Sequence, residues 1–166
     1  MMTLYHGSYT AVPQPLVKVG RKNVDFGQGF YLTRLEEQAS AWAEIIASRR
    51  SRTVAPVVSI YTFDRERAIA EGVRFLVFET YNLDWLYFVV GCRKGADHSE
   101  EYDVVEGGVA NDNVIDTVED YEKGIITAEQ ALGQLQYKKV NHQICILNQK
   151  VVDNYLQFTG SKEVQI

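Results

Sequence analysis

Apolar and polar residues alternate in short runs along the chain, and the runs near the N-terminus have the length and residue types of β-strands. The first run covers residues 3–8 and stops at a glycine, and the second covers residues 29–33. Between them, residues 9–24 hold two prolines and several polar turn residues, which predicts a surface loop or an irregular edge. Runs of the same kind predict four more strands, at residues 57–63, 74–78, 102–108 and 141–147.

Helical periodicity is clearest directly after the second strand. Apolar residues recur there at helical spacing and predict an amphipathic helix that ends near Arg49-Arg50, its apolar positions being Leu35, Ala39, Trp42, Ile45 and Ile46. Thr33 and Glu36 have the spacing of a capping box at its start.

Four further segments have helical character. The high apolar content of residues 82–90 predicts a helix. Thr127 and Gln130 have the spacing of a second capping box, followed by a helix to about residue 136. Residues 65–71 are predicted as a short helix or turn, and residues 150–158 as a closing helix or loop.

The order of these elements favours an α+β fold. Strands and helices do not alternate strictly, as they would in a doubly wound parallel sheet. The chain has 166 residues, of which 46% are hydrophobic, and it shows no repeat, linker or low-complexity tract. We therefore expect a single domain over residues 1–166.

Charge and cysteine usage narrow the class of protein. The net charge of −5 argues against a protein that coats nucleic acid, although it does not exclude a nucleic-acid substrate held locally. Cys92 and Cys145 lie in apolar surroundings without metal-type pairing, which is typical of free thiols in a reducing compartment. The longest apolar run, residues 83–91, is too short to cross a bilayer, and no secretory segment opens the chain. We expect a cytoplasmic protein without membrane contact.

A strand that ends in His6-Gly7 has the chemistry of a binding site. An imidazole can donate or accept one hydrogen bond, and a glycine lets a ligand approach the main chain closely. Adjacent main-chain N–H and C=O groups match a carboxamide, which needs one acceptor and one donor. The alternative is a core histidine followed by a turn glycine.

The segment Gly27-Gln28-Gly29 precedes the second strand. It lacks the third glycine of a dinucleotide fingerprint, since Leu32 stands at that position, and it does not link a strand to a helix. The glycines instead indicate a tight approach to the strand that carries Tyr31. The tyrosine ring can stack on a flat heterocycle with its hydroxyl free to hydrogen-bond, unless it is an ordinary strand tyrosine.

Three polar segments remain. Asn111-Asp112-Asn113 is suited to a turn, and it could also hold a ribose hydroxyl or supply a carboxylate base. The basic residues 49–52 either grip phosphates or neutralise a helix C-terminus. His98 lies in a polar stretch predicted as a solvated loop, and we expect no metal site.

Taken in order, these pieces resemble the ADP-ribosyltransferase superfamily, in its branch that includes diphtheria toxin and the poly(ADP-ribose) polymerases. That branch carries a His-Tyr-Glu triad on three strands. Residues 4–8, with His6-Gly7, match its first motif, and residues 26–32, with Tyr31, match its second. Residues 38–42 resemble the small-residue helix start that follows.

The third motif departs from the family. Asn141-His142-Gln143 offers a glutamine where the family carries glutamate. The chain is therefore most similar to an uncharacterised bacterial branch with an apparent His-Tyr-Gln triad, of which residues 109–114 also look like a signature.

The resemblance implies a fold, a substrate and roles for individual residues. The fold would be a split pair of small β-sheets with flanking helices and an NAD cleft between them. His6 would bond a ribose hydroxyl, Gly7 the nicotinamide carboxamide, and Tyr31 would stack on the nicotinamide ring. Ser8 and Gly29 belong to the same implied NAD-binding set. Gln143 would occupy the position that contacts the ribose 2′-hydroxyl.

The activity implied is mono-ADP-ribosyl transfer from NAD, without a metal, to a protein or, as a weaker alternative, to a nucleic acid. A glutamine cannot act as a base, which disfavours poly(ADP-ribose) synthesis. Three alternatives follow. In the first, the acceptor brings its own nucleophile, and in the second, Asp112 or Glu106 supplies the base, with Asn111 on the acceptor side. In the third, the domain binds NAD or ADP-ribose without catalysis. Small bacterial domains of this kind are often toxins or effectors, for which an antitoxin-type partner is expected.

Overall fold

The computed structural model describes residues 1–110, 114–136, 138 and 140–165. Within these residues the strands are β1 (Met2–Ser8), β2 (Phe30–Leu32), β3 (Val57–Phe63), β4 (Phe75–Val77), β5 (Val104–Gly107), β6 (Gln143–Ile146) and β7 (Leu156–Glu163). The helices are α1 (Glu36–Arg50), α2 (Arg65–Ala70), α3 (Leu83–Arg93), α4 (Ile115–Glu122), α5 (Ala128–Leu135) and α6 (Gln149–Tyr155), with a short 3₁₀ helix at Val17–Val19.

The strands form two small sheets, and the α+β prediction is confirmed. The three-stranded sheet has the order β1-β3-β7 and is antiparallel. The four-stranded sheet has the order β2-β6-β5-β4, in which only β4 and β5 run parallel. The two sheets meet where Tyr5 of β1 and Thr33 exchange both main-chain hydrogen bonds, at 2.8 and 2.9 Å.

β6 lies in the interior of the four-stranded sheet, and all four of its residues are buried. Ile144 and Ile146 belong to one hydrophobic cluster, with Leu4 and Leu32, while Cys145 faces a second cluster built around Trp85. Because both faces of β6 are covered, its polar residue Gln143 must satisfy its side chain within the protein.

The start of α1 differs from the prediction. Leu35 is its N-cap residue and makes no side-chain cap, while Thr33 Oγ1 accepts the Leu35 N–H at 3.1 Å. The predicted Thr33–Glu36 capping box is therefore wrong, because Thr33 is held by its pairing with Tyr5 and lies two residues too early. The second capping box, between Thr127 and Gln130, is confirmed at the start of α5.

The buried face of α1 also differs from the prediction. The helix buries Ala39, Ala43 and Ala47, whereas Leu35 and Ile45 are 41% and 49% exposed. The reason is steric: a Cβ at Gly7 of β1 would lie 2.1 Å from the Ala39 carbonyl oxygen and 2.7 Å from the Ala43 nitrogen. A helix this close to a strand accommodates only small side chains on the contacting face.

Two elements were not predicted. α4 lies in a segment where the sequence showed no helix signal, and β7 follows α6 where a closing helix or loop was predicted. β7 is an edge strand with mostly exposed residues, and its apolar alternation is limited to Leu156 and Phe158, which is a short signal for a strand of eight residues. α6 itself confirms the helical part of that prediction.

Two observations bear on the wider setting. Among the residues that the structure describes, no helix is long and apolar enough to cross a membrane. Cys92 and Cys145 are both free and buried, as the sequence predicted.

We predict that Gly7→Ala lowers the free energy of unfolding by about 1–3 kcal/mol, because the added methyl group would overlap the α1 main chain. Urea unfolding measures the change. Gly133→Ala is the matched control: Gly133 lies in α5 with no atom near its Cβ position, so the same substitution should stabilise by about 0.5–1 kcal/mol. A Gly7→Ala protein as stable as the wild type would contradict the β1–α1 contact.

Candidate functional site

A cavity of about 630 Å³ opens where β1 and β2 separate. In a regular continuation of the Tyr5–Thr33 pairing, Gly7 would pair with Tyr31. Instead the Tyr31 carbonyl oxygen accepts a hydrogen bond from the His6 ring, so the two strands diverge at this point. The walls come from both strands, the long segment between them, α1, β6 and the loop after β5. They include the side chains of His6, Tyr31, Trp42, Ile46 and Gln143.

His6 is held in one orientation. Its Nδ1 lies 2.6 Å from the Tyr31 carbonyl oxygen, and its ring packs on Phe30 at a centroid distance of 4.3 Å. A carbonyl oxygen only accepts, so Nδ1 carries a hydrogen. Burial lowers the pKa of His6, although the hydrogen bond to Tyr31 acts to raise it. The imidazole is therefore neutral near pH 7 and offers Nε2 as an acceptor.

The hydroxyl of Tyr31 is not free, contrary to the sequence-based expectation. It donates to the Gly27 carbonyl oxygen at 2.6 Å and accepts from the Phe26 N–H at 3.0 Å. Burial raises the pKa of Tyr31 well above its ordinary value. The hydroxyl thus fastens the preceding turn, where Gly27 has a φ of 92°, and the ring is the part available to a ligand.

The glycines and Ser8 contribute close backbone approaches. A Cβ at Gly29 would lie 2.5 Å from Cys145 Sγ, which confirms the predicted tight approach at the start of β2, and Gly29 lines the cavity. Ser8 is buried and also lines it. Gly7 does not line the cavity itself. Its N–H and C=O point to the same side of β1 as those of Tyr5, towards β2, because successive residues of a strand alternate in direction.

Gln143 is 3% exposed and bonds to two acceptors of the protein. Its Nε2 donates to Asp25 Oδ2 at 3.1 Å and to the Gly108 carbonyl oxygen at 3.2 Å. Asp25 Oδ2 also accepts the Ala110 N–H at 2.9 Å, and Asp25 Oδ1 lies 3.5 Å from Arg93 Nη1.

Asp25 lines the cavity and was missed by the sequence analysis. The available signal was its place: an acidic residue directly before the apolar and glycine-rich segment that leads into β2. An aspartate there is also common in ordinary turns, so the signal becomes specific only when the partner of its carboxylate is known.

Glu106 does not reach the cavity. It pairs with Ile144 across β5 and β6, so its side chain lies on the opposite face of the sheet from that of Gln143. There Glu106 forms an ion pair with Arg65 and accepts from His142 Nε2 at 3.0 Å. Burial acts to raise the pKa of Glu106, but the bonds from His142 and Arg65 outweigh it and hold the pKa below its ordinary value.

The remaining predicted residues fall in different places. Asn111 and Asp112 lie outside the described residues. His98 lies in a loop whose acidic residues are exposed, as predicted, but its own side chain is half-buried and stacks on Phe88 with a centroid distance of 4.5 Å. Arg49 and Arg50 lie in the last turn of α1, as the helix-end alternative required.

The cavity wall also includes a basic residue. Arg21 lines the cavity and brings a guanidinium group to its wall.

Burial raises the pKa of both thiols, that of Cys92 to about 12, so neither Cys92 nor Cys145 is an ionised nucleophile near pH 7. In the part of the chain that the structure describes, no three His, Cys, Asp or Glu side chains are grouped as a metal site requires.

The cavity therefore combines several aromatic side chains, the neutral imidazole of His6, the fixed amide of Gln143, the carboxylate of Asp25 and the guanidinium of Arg21 between mostly apolar walls. A cavity of this size and composition is typical of small-molecule sites. The geometry suits a ligand that has a flat ring and several hydroxyl groups.

Comparison with known proteins gives one match. A family model described as "Protein of unknown function (DUF3990)" matches residues 2–158, from β1 into β7. No curated protein and no solved structure matches the chain. Since the family model covers nearly the whole chain, the protein belongs to the DUF3990 family.

Proposed function

We propose that the protein binds NAD in the cavity between β1 and β2 and transfers its ADP-ribose to an acceptor, as a mono-ADP-ribosyltransferase. The observation that carries the proposal is the convergence of His6, Tyr31 and Gln143 on one cavity, from three strands far apart in the sequence. These are the three positions at which the chain resembles the ADP-ribosyltransferase triad. The split pair of small sheets supports the same fold assignment.

The described residues fit NAD as the substrate. Tyr31 lines the cavity and can offer its ring to the nicotinamide, whereas Gly7, to which the resemblance assigns the carboxamide, does not line it. His6 Nε2 can accept from a ribose hydroxyl, since the imidazole is neutral. Arg21 offers a guanidinium to the pyrophosphate, which such groups bind well.

The protein groups also define what the site can do chemically. Breaking the bond between nicotinamide and ribose places positive charge on the sugar, and groups aimed at that charge lower the barrier. Gln143 can orient a hydroxyl, but it carries no charge and takes no proton. A neutral residue at this position favours a single transfer over chain elongation, because elongation requires activation of a ribose hydroxyl.

The second candidate is a module of the same fold that binds NAD or ADP-ribose without turnover. Gln143 itself favours this candidate, since both of its donated hydrogen bonds go to the protein. For a transferase, we propose a protein acceptor in the cytoplasm first and a nucleic acid second. A role as a bacterial toxin or effector with an antitoxin-type partner belongs to the same proposal.

We predict that Tyr31→Ala weakens NAD binding at least tenfold, whereas Tyr31→Phe keeps the affinity within about threefold, because the hydroxyl is already bonded to the protein and the ring is the part left to contact a ligand. Titration calorimetry with NAD measures both. Tyr31→Phe should lose about 1–3 kcal/mol of stability, since the Phe26 N–H and the Gly27 carbonyl lose their partner. Equal loss of affinity in the two variants would show that the ring is not the contact.

We predict that the wild-type protein releases nicotinamide from NAD when a bacterial lysate supplies acceptors. His6→Ala and Gln143→Ala should each slow the release by about 10²–10³-fold. Chromatography of the released nicotinamide gives the rate, and digestion of the labelled lysate with protease or with nuclease identifies the class of acceptor. An Asp112→Asn variant tests the open alternative of a base at that position.

The outcomes separate the two candidates. Tight NAD binding with no release in any lysate would support the non-catalytic module and rule out the transferase. Absence of both binding and release would remove NAD as the ligand. A label that resists protease and disappears with nuclease would replace the protein acceptor by a nucleic acid.

A further inference from the structure

We propose that Asp25 is the carboxylate of this site: it orients Gln143 and places beside the reacting ribose the negative charge that Gln143 lacks. The inference rests on the proposed function and names a residue outside the three motifs of the resemblance. It is carried by two observations: the Asp25 carboxylate lines the cavity, and it accepts a hydrogen bond from Gln143.

Three separate segments converge on this carboxylate. Asp25 Oδ2 accepts from Gln143 Nε2 at 3.1 Å and from the Ala110 N–H at 2.9 Å, so it ties the segment before β2 to β6 and to the loop after β5. The Asp25 side chain is only 13% exposed, and it lines the cavity together with Gln143. A carboxylate this well enclosed is screened less by solvent than one on the surface.

The contact fixes the orientation of the Gln143 amide. Both neighbours of its terminal group, Asp25 Oδ2 and the Gly108 carbonyl oxygen, are acceptors. Only Nε2 can satisfy them, so the acceptor atom Oε1 has to point elsewhere. With its donors committed in this way, Gln143 offers a substrate an acceptor and no donor, which is the part a ribose hydroxyl needs.

Arg93 is not paired with Asp25 alone. Arg93 Nη1 lies 3.5 Å from Asp25 Oδ1, but Arg93 also faces Glu119 at 3.9 Å and Glu122 at 4.0 Å. One guanidinium group is thus shared among three carboxylates, and of these Asp25 brings its negative charge to the cavity wall, which also holds the Arg21 guanidinium. Placed there before the reaction begins, such a charge stabilises the positive charge that develops on the sugar.

The step that this charge assists is balanced. The bond from the ribose C1′ to the nicotinamide nitrogen breaks, and its electron pair leaves with nicotinamide. A lone pair of the acceptor forms the new bond to C1′, and the proton of the acceptor passes to solvent. When water is the acceptor, the products are ADP-ribose, nicotinamide and one proton.

Asp25→Asn separates charge from structure. An asparagine whose oxygen takes the Oδ2 position still accepts from Gln143 and Ala110, and only the negative charge and the contact with Arg93 are lost. We expect kcat for nicotinamide release to fall by about 10²–10³-fold, while KM for NAD stays within about threefold.

Glu106→Gln is the matched control. Glu106 is a carboxylate of the same burial, 12% exposed, on the opposite face of the four-stranded sheet, and its variant should release nicotinamide at the wild-type rate. A second variant, Asp25→Ala, leaves room for a small carboxylate, so added formate should restore part of its activity and should not affect Asp25→Asn. Thermal melting of each variant confirms that it is folded.

The results distinguish failure of the inference from failure of the proposed function. A wild-type protein that releases no nicotinamide removes the transferase, and the inference falls with it. An active wild type with an equally active Asp25→Asn overturns the inference alone. So does an Asp25→Ala protein that loses NAD affinity and gains nothing from formate, since that is the behaviour of a purely structural residue.

Discussion

The separation of β1 from β2 beyond the Tyr5–Thr33 pair is the constraint on which the rest of the site depends. Up to that pair the two sheets share main-chain hydrogen bonds, and one position later the His6 ring takes the Tyr31 carbonyl that Gly7 would have used. A side-chain hydrogen bond therefore takes the place of a main-chain hydrogen bond between the two strands, and the space that results between them is the cavity. The same bond fixes the tautomer of His6, so the geometry and the chemistry of the site have one origin.

The packing of α1 against β1 determines which side chains of α1 reach the cavity. Because β1 and α1 touch through Gly7, Ala39 and Ala43, the helix lies too close to the strand for large side chains on that face. Its larger apolar residues turn aside, and Trp42 and Ile46 become part of the cavity wall. The alanine face buries less apolar area than a face of large side chains would bury, so it contributes less to stability. The large side chains of α1 lie instead where a ligand can contact them.

Sequence patterns predicted what depends on local chemistry and missed what depends on contacts. The strand that carries His6, the strand that carries Tyr31 and the α5 capping box all have local signals, and all are present. The predicted buried face of α1 was right at Ala39 and wrong at Leu35 and Ile45, because the pattern of large residues contains no information about how near β1 lies. Asp25 was missed for the same reason: its partner Gln143 is 118 residues away, and only the fold shows that they touch.

The contact between Asp25 and Gln143 also bears on why a glutamine can stand where the resemblance leads one to expect glutamate. A glutamate has two properties at such a position, an oxygen that contacts the ribose and a negative charge. In the proposed site the oxygen belongs to Gln143 and the charge to Asp25, and the two side chains are joined by one hydrogen bond of 3.1 Å. A second carboxylate at position 143 would face both Asp25 Oδ2 and the Gly108 carbonyl oxygen, and repulsion from both would force it to take up a proton or move away. With Asp25 in place, the neutral amide is the side chain of this shape that the site accommodates.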